Sequence, residues 1–312
     1  MTRAFDAEAT CAALPFERLV PALRALFAEG CDVPARQVHT IPQPDGRPPL
    51  TSLVMPAWQP GRYYGIKTVN VAPGNGALGL PALHASYLLH DAVTGRPLAW
   101  MDGDQITARR TAAASALAAS WLARGDARRL LVVGAGRVAR LLPHAYRVVR
   151  PLESVRVWAR NLAQAEALVA VWRGEGFEAR AVLDLQAAVS QADIVSCATL
   201  AAEPVVEGRW LRAGSHLDLI GSFTPAMREA DDDCFAGAAI YVDTPEAWQK
   251  SGDLLEPLTR GVFGIGDVRA TLQQLARGEA GGRRNDDERT VFKSVGTALE
   301  DLAAAMLVWE TA

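Results

Sequence analysis

The run Leu130-Leu-Val-Val-Gly-Ala-Gly-Arg-Val-Ala139 sets an apolar stretch directly before Gly-x-Gly-x-x-Ala and the start of a helix. That order and spacing suit the binding of a dinucleotide pyrophosphate. Gly134 allows the tight turn and Gly136 lets the backbone approach the phosphates. Ala139 is small enough for the helix to pack on the strand, and Ala135, Arg137 and Val138 complete the set that faces the cofactor. The first N–H groups of the helix have no partner within it and point at the anion. An ordinary strand–helix turn would share the glycines, but here further β–α alternation follows.

The next strand bears on which dinucleotide is bound. A site selective for NAD usually ends this strand with Asp or Glu, which holds the ribose 2′-hydroxyl, whereas Val155-Arg-Val-Trp158 is followed by Ala159, Arg160 and Asn161. A planar guanidinium makes paired, charge-assisted hydrogen bonds to a phosphate. Arg160 therefore favours NADP(H), with NAD(H) possible.

Lysine occurs only at positions 67, 250 and 293, so Lys67 stands out inside the apolar run Tyr64-Gly-Ile-Lys-Thr-Val-Asn-Val71. A buried ammonium needs an anion, while a lysine on an edge strand would simply face water. Arg36, Arg109 and Arg110 carry no signal when each is taken alone.

These residues need a scaffold, and the chain is long enough for two domains: 312 residues with a formal net charge of −3. The first part reads as an amphipathic helix over 16–28, then strands over 50–55, 63–71 and 87–91 between Pro/Gly turns. An Ala-rich helix over 111–124 leads into strands at 154–158, 178–182, 194–198, 216–220 and 239–242, with helices at 162–173 and 184–191. That alternation predicts an α/β fold, a doubly wound parallel sheet of the Rossmann type, beside an α+β domain. A helix over 295–309 either closes the nucleotide domain or crosses back to the first. The expected boundaries are 1–112 for substrate binding and dimerisation, with 289–312 returning to it, and 113–288 for the dinucleotide.

Charges are dispersed, which disfavours a nucleic-acid or membrane surface. The four cysteines and five histidines show no disulfide framework or metal-ligand spacing. Asp6 and Glu8 interrupt the place where a signal peptide would be apolar. A cytoplasmic protein acting on a small molecule is the expectation.

The chain resembles the ornithine cyclodeaminase/mu-crystallin family over nearly its whole length. The resemblance rests on Met55-Pro-Ala57, Gly65-Ile-Lys-Thr-Val-Asn-Val71, Pro73-Gly-Asn75, Gly79-Leu-Pro81, Met101-Asp-Gly103, Thr107-Ala-Arg-Arg-Thr-Ala-Ala-Ala-Ser115, Gly134-Ala-Gly136, Ala192-Asp-Ile-Val-Ser196 and Ser294-Val-Gly-Thr-Ala-Leu-Glu-Asp301. Within the family, Leu217–Glu229 and Val291–Gly296 look most like the reductases of cyclic ketimines, Δ1-pyrroline-2-carboxylate and Δ1-piperideine-2-carboxylate. The resemblance implies that Arg36, Lys67 and Arg110 bind the substrate carboxylate, with Ser86 nearby, Arg109 the weaker candidate, and Thr199 and Ser294 toward the nicotinamide. It also implies a homodimer and a small cyclic imino acid as substrate.

One departure separates reactions inside the family. Cyclodeaminases carry an aspartate two residues after the glycine that corresponds to Gly221, and this chain has Phe223. Expelling ammonia from ornithine needs a group that handles protons. A phenyl ring cannot do that, but it can cover an apolar ring and keep water out. The expectation is reduction of cyclic ketimines to L-proline and L-pipecolate. Ornithine cyclodeamination, alanine dehydrogenation and a non-catalytic NADPH-binding role like that of a crystallin stand as alternatives.

Overall fold

The computed structural model describes residues 2–311. The chain divides into two compact units, one made of Met1–Arg110 with Thr297–Ala312 and the other of Thr111–Gly296. No described helix is long and apolar enough to cross a membrane.

The first unit contains β1 (Arg3–Phe5), α1 (Ala7–Ala12), α2 (Phe16–Glu29), β2 (Gln37–Ile41), β3 (Leu50–Trp58), β4 (Tyr63–Val71), β5 (Leu83–Asp91) and β6 (Pro97–Asp102). After β6 the chain enters α3 (Gly103–Leu122), which continues into the second unit. The strands form a six-stranded sheet in the order β1-β6-β5-β4-β3-β2, antiparallel except for the β1–β6 pair. Side chains alternate across each strand. Met55, Lys67, Tyr87 and Met101 therefore share one buried face in register, while Pro56, Ile66, Leu88 and Trp100 share the other. In α2, Phe16, Leu19, Val20, Leu23, Leu26 and Phe27 are buried at helical spacing.

The second unit contains β7 (Arg129–Val133), α4 (Arg137–Val149), β8 (Ser154–Trp158), α5 (Leu162–Gly174), β9 (Ala179–Ala181), α6 (Leu185–Gln191) and β10 (Ile194–Cys197). It continues with β11 (His216–Leu219), β12 (Ala239–Val242), α7 (Ala247–Lys250), α8 (Gly252–Thr259), β13 (Val268–Thr271), α9 (Leu272–Arg277) and β14 (Thr290–Lys293). All eight strands are parallel, in the order β13-β12-β14-β11-β10-β7-β8-β9. This is the doubly wound α/β sheet that the sequence predicts. Its order reverses between β7 and β10, where such sheets bind ligands beyond the carboxyl ends of their strands. Asn161 and Asp184 cap α5 and α6 by accepting from the N–H groups of Ala163 and Ala187 at 3.0 and 2.9 Å.

Two expectations are corrected. Residues 289–296 do not return to the first unit, because β14 lies between β11 and β12 in the parallel sheet. Only the final helix, α10 (Ala298–Thr311), does so, packing on α2, β3, β4 and β5. The Ala-rich helix begins at Gly103 rather than at Thr111, with the Asp102 carboxylate accepting from the Gln105 N–H at 2.7 Å. Glycine is required at that entry, since a Cβ on Gly103 would stand 2.6 Å from the Ser86 nitrogen.

Candidate nucleotide and carboxylate sites

A cavity of about 1060 Å³ opens at the sheet's switch point. Its walls are the turn after β7 (Gly134, Ala135, Gly136), the end of β8 (Trp158 to Asn161, with Gln164) and the loop after β10 (Ala198 to Val205). Gly134 has φ +116°, and a Cβ there would stand 2.5 Å from the Ala198 carbonyl oxygen. Only glycine fits that turn. Gly136 differs, because a Cβ there would meet nothing within 4 Å. The space left by its missing side chain is open, and as the N-cap of α4 Gly136 makes no side-chain cap bond to the first turn. Backbone donors, a helix N-terminus and a cavity of this size fit a dinucleotide.

Arg160 is exposed on the wall at the end of β8. Asn161 shares that wall while its side chain caps α5. Thr199 lines the loop after β10. Arg137 and Val138 begin α4 next to the cavity turn, and Ala139 is fully buried beneath them, as close packing of the helix on the sheet requires. Ser294 is buried past the end of β14, its N–H donating to the Leu219 carbonyl at 3.1 Å, and it does not line the cavity.

In the first unit Lys67 is 1% exposed and its anion is internal: Nζ stands 2.6 Å from Asp301 Oδ2. Arg110, also buried, donates Nε to Asp301 Oδ1 at 2.9 Å and pairs through Nη1 with Glu300. Both acids occupy the first turn of α10, where the helix dipole favours negative charge. Sequence reasoning named the two cations and missed the two carboxylates that orient them. Burial lowers the Lys67 ammonium to about 8, with Asp301 opposing the shift and Arg110 adding to it. Burial would raise the Asp301 carboxyl, but Lys67 and Arg110 outweigh that and hold it below its ordinary value.

Arg36 is half-buried one residue before β2. It lies between the isolated Asp32–Trp58 bridge and the Gln37–Val54 pair that opens the β2–β3 ladder. Ser86 is a correction. It pairs with Thr68 and Asp102, on the opposite sheet face from Lys67, whose partner in β5 is Tyr87.

Arg109 has a structural role: Nε donates to the Leu14 carbonyl at 2.8 Å, and its guanidinium lies 4.5 Å from the Phe16 ring centroid. Phe223, in the loop after β11, is 47% exposed. Asp218 is fully buried and accepts from Ser115 Oγ at 3.0 Å, Tyr146 Oη at 2.8 Å and Ser196 Oγ. Burial pushes its carboxyl up to about 6 against the pull of those hydroxyls. Its donors are all internal, which makes it a hydrogen-bonding centre of the second unit's core.

Fold and cavity together define a dinucleotide-binding α/β protein. A profile of the ornithine cyclodeaminase/mu-crystallin family matches residues 34–312, and the chain belongs to that family. It is 45% identical over 281 residues to the Δ1-pyrroline-2-carboxylate reductase of Paracoccus denitrificans, covering 88% of this chain and 89% of that one. Among solved structures, Δ1-pyrroline-2-carboxylate reductase of Thermococcus litoralis, in complex with NADH and L-proline, superposes with a TM-score of 0.92 at 33% identity, covering 100% of this chain and 97% of that one. An archaeal alanine dehydrogenase dimer with bound NAD gives a TM-score of 0.90 at 30% identity, covering 100% and 96%.

Proposed function

We propose that the protein is an oxidoreductase that reduces cyclic 2-carboxy imines, Δ1-pyrroline-2-carboxylate and Δ1-piperideine-2-carboxylate, to L-proline and L-pipecolate. The observation that carries this reading is a neutral Phe223 where the cyclodeaminase pattern has an acid, in a chain matched end to end by a reductase solved with L-proline. The nicotinamide, when bound, would supply a hydride to C2 of the imine, and the ring nitrogen would carry a proton taken from water, before binding or in the site. Gly134, Ala135 and Gly136, with the first turn of α4, hold the pyrophosphate by backbone N–H groups. Arg36, Lys67 and Arg110 hold the substrate carboxylate, and Asp301 with Glu300 keeps two of those cations in position. Fixing the carboxylate orients the ring and supplies proximity. Phe223 covers the apolar ring and excludes water.

The test sets NADPH and NADH consumption with each imine beside ammonia release from ornithine and turnover of pyruvate plus ammonia. Imine reduction without ammonia release is expected. Stoichiometric ammonia from ornithine, at a rate comparable with imine reduction, would mean that Phe223 is no barrier and would overturn the reading.

Arg160 supports a preference for NADPH, although the two solved relatives described above carry NADH and NAD. Arg160→Ala should weaken NADPH by ~1.5–3 kcal/mol, the loss of hydrogen bonds to a charged group, and leave NADH nearly unchanged. Equal losses for both cofactors reject the 2′-phosphate role.

A homodimer completes this reading, formed through the half-exposed row Pro56, Ile66, Leu88 and Trp100, in which Trp100 is 44% exposed. Trp100→Glu should halve the mass seen by light scattering. A monomeric parent protein, or a variant of unchanged mass, counts against it.

A further inference from the structure

The roles assigned above leave unused a set of fully buried charges in the second unit: Glu229, Asp253 and Lys293. One Glu229 oxygen accepts from the Thr199 N–H at 2.7 Å and the Thr199 hydroxyl at 2.9 Å. The other accepts from the Gly221 N–H at 2.6 Å. Thr199 belongs to the cavity loop after β10, and Gly221 begins the turn after β11 that leads to Phe223. A single carboxylate thus bridges two loops at the carboxyl edge of the sheet.

The bridge is itself held from behind. The N–H groups of Glu229 and Ala230 donate to Asp253 Oδ1 at 2.8 and 3.1 Å, and the Glu229 carbonyl accepts from Val205 and Val206 at 2.9 Å. Lys293 Nζ donates to the Leu219 carbonyl at 3.0 Å and stands 3.5 Å from Asp253 Oδ2. A Cβ on Gly221 would lie 1.9 Å from the Thr199 carbonyl oxygen, so the two loops are in direct contact.

Burying two carboxylates around one ammonium is costly. Filling space would need only an apolar side chain or an amide. Three donors converging on two oxygens, however, require a group that only accepts, and among side chains that is an ionised carboxylate. A glutamine would turn its own NH2 toward one of the N–H groups.

We propose that Glu229 is a positioning residue for nicotinamide dinucleotide binding: its carboxylate locks the Thr199 loop to the Gly221–Phe223 turn and so fixes one wall of the cavity. The proposal deepens the cofactor reading above and rests on it. It concerns binding, and it does not depend on which imine is reduced.

The charged and titratable groups facing Glu229 are Lys293 from β14, Asp253 from α8 and Cys197 from β10. Burial raises the Glu229 carboxyl to about 7, with Asp253 adding to that and Lys293 and the backbone donors of Thr199 and Gly221 opposing it. Burial drives the Cys197 thiol well above its ordinary value, so it stays protonated over this range. A proton on Glu229 would replace an acceptor with a donor facing N–H groups and loosen the bridge. NADH affinity should therefore fall as pH drops through neutrality.

The experiment is a fluorescence titration of the full-length protein with NADH from about pH 6 to about pH 8.5, following Kd. A single required ionisation weakens binding by up to about tenfold per unit below its midpoint. Glu229→Gln, shown to be folded by circular dichroism, should bind NADH about tenfold more weakly at the alkaline end, within the range of coupled neighbours, and should lose the pH dependence. Thr199→Ala removes one bond that favours the charged carboxylate, so it should move the midpoint upward. A flat profile for the parent protein overturns the proposal. So does a folded Glu229→Gln protein with parental affinity and slope. If Glu229→Gln does not fold, Thr199→Ala decides, and an unmoved midpoint overturns the proposal. These signatures in a protein that reduces no imine would support the bridge and reject the activity proposed above.

Discussion

Replacing Asp301 by alanine should lower the free energy of unfolding by about 3–5 kcal/mol, the range for removing one partner of a buried ion pair. Asp301 is fully buried and meets both Lys67 and Arg110. Without it the Lys67 ammonium, 1% exposed, keeps no carboxylate in contact among the described residues, whereas Arg110 still has Glu300. Asp301→Asn retains an acceptor of the same shape and should lose less. Adding Lys67→Met to Asp301→Ala should recover part of the loss, because it removes the orphaned charge.

The pH dependence of that contribution has a definite sign. The folded Asp301 carboxyl is held below its ordinary value, so the stabilisation is fully present above the unfolded carboxylate value and is lost as pH falls through the folded one. Urea unfolding of parent and variant at neutral pH measures the difference. A change no greater than that of a surface substitution, about 0.5 kcal/mol, would show that the two cations are stabilised by other groups.

What could be read from the chain was whatever is local. The strand, turn and helix of Leu130–Ala139 announce themselves because the whole pattern lies within ten consecutive residues, and β8 and β12 are compact runs with β-branched residues. Five strands escaped: β1, β2, β6, β13 and β14. β2 is exposed at every position and has no alternation to detect, and β14 carries a charged Lys293 that happens to be fully buried. Ser86 was misplaced because its face depends on register: Lys67 meets Tyr87, so the neighbouring serine turns the other way.

The anion for Lys67 and Arg110 was hidden for a different reason. Asp301 lies 191 residues beyond Arg110, and nothing in spacing reports a pairing made by a helix that returns to the first sheet from the far end of the chain. The one signal was the acidic pair Glu300-Asp301 opening a helix that is otherwise apolar along most of its length. Acids at a helix start have a ready explanation in the dipole, and that explanation concealed their burial. The bridge at Glu229 is of the same kind, since its three donors come from loops after two other strands.

Lys67→Met and Arg110→Met should each reduce kcat/KM for the cyclic imine by ~2–5 kcal/mol, the cost of removing one partner of a desolvated, hydrogen-bonded charge pair. Lys67 is lowered to about 8 chiefly by burial, yet it remains mostly protonated at neutral pH and so can hold a carboxylate there. Asp301 engages Lys67 from one side, and an ammonium has three donors. Arg110→Lys is a sharper probe of geometry, because it keeps the charge and loses the planar fork that meets Asp301 and Glu300 together. NADH affinity separates loss of substrate binding from loss of fold, since the nucleotide residues belong to the other unit. The expected pattern is a folded protein with parental NADH binding and a collapse of kcat/KM for the imine. Lys67→Met should be the cleaner of the two, because Asp301 retains Arg110, whereas Arg110→Met takes a guanidinium from both acids at once. Folded variants that bind NADH and turn over the imine at near-parental rates would place the substrate carboxylate elsewhere and leave Lys67 and Arg110 as structural cations.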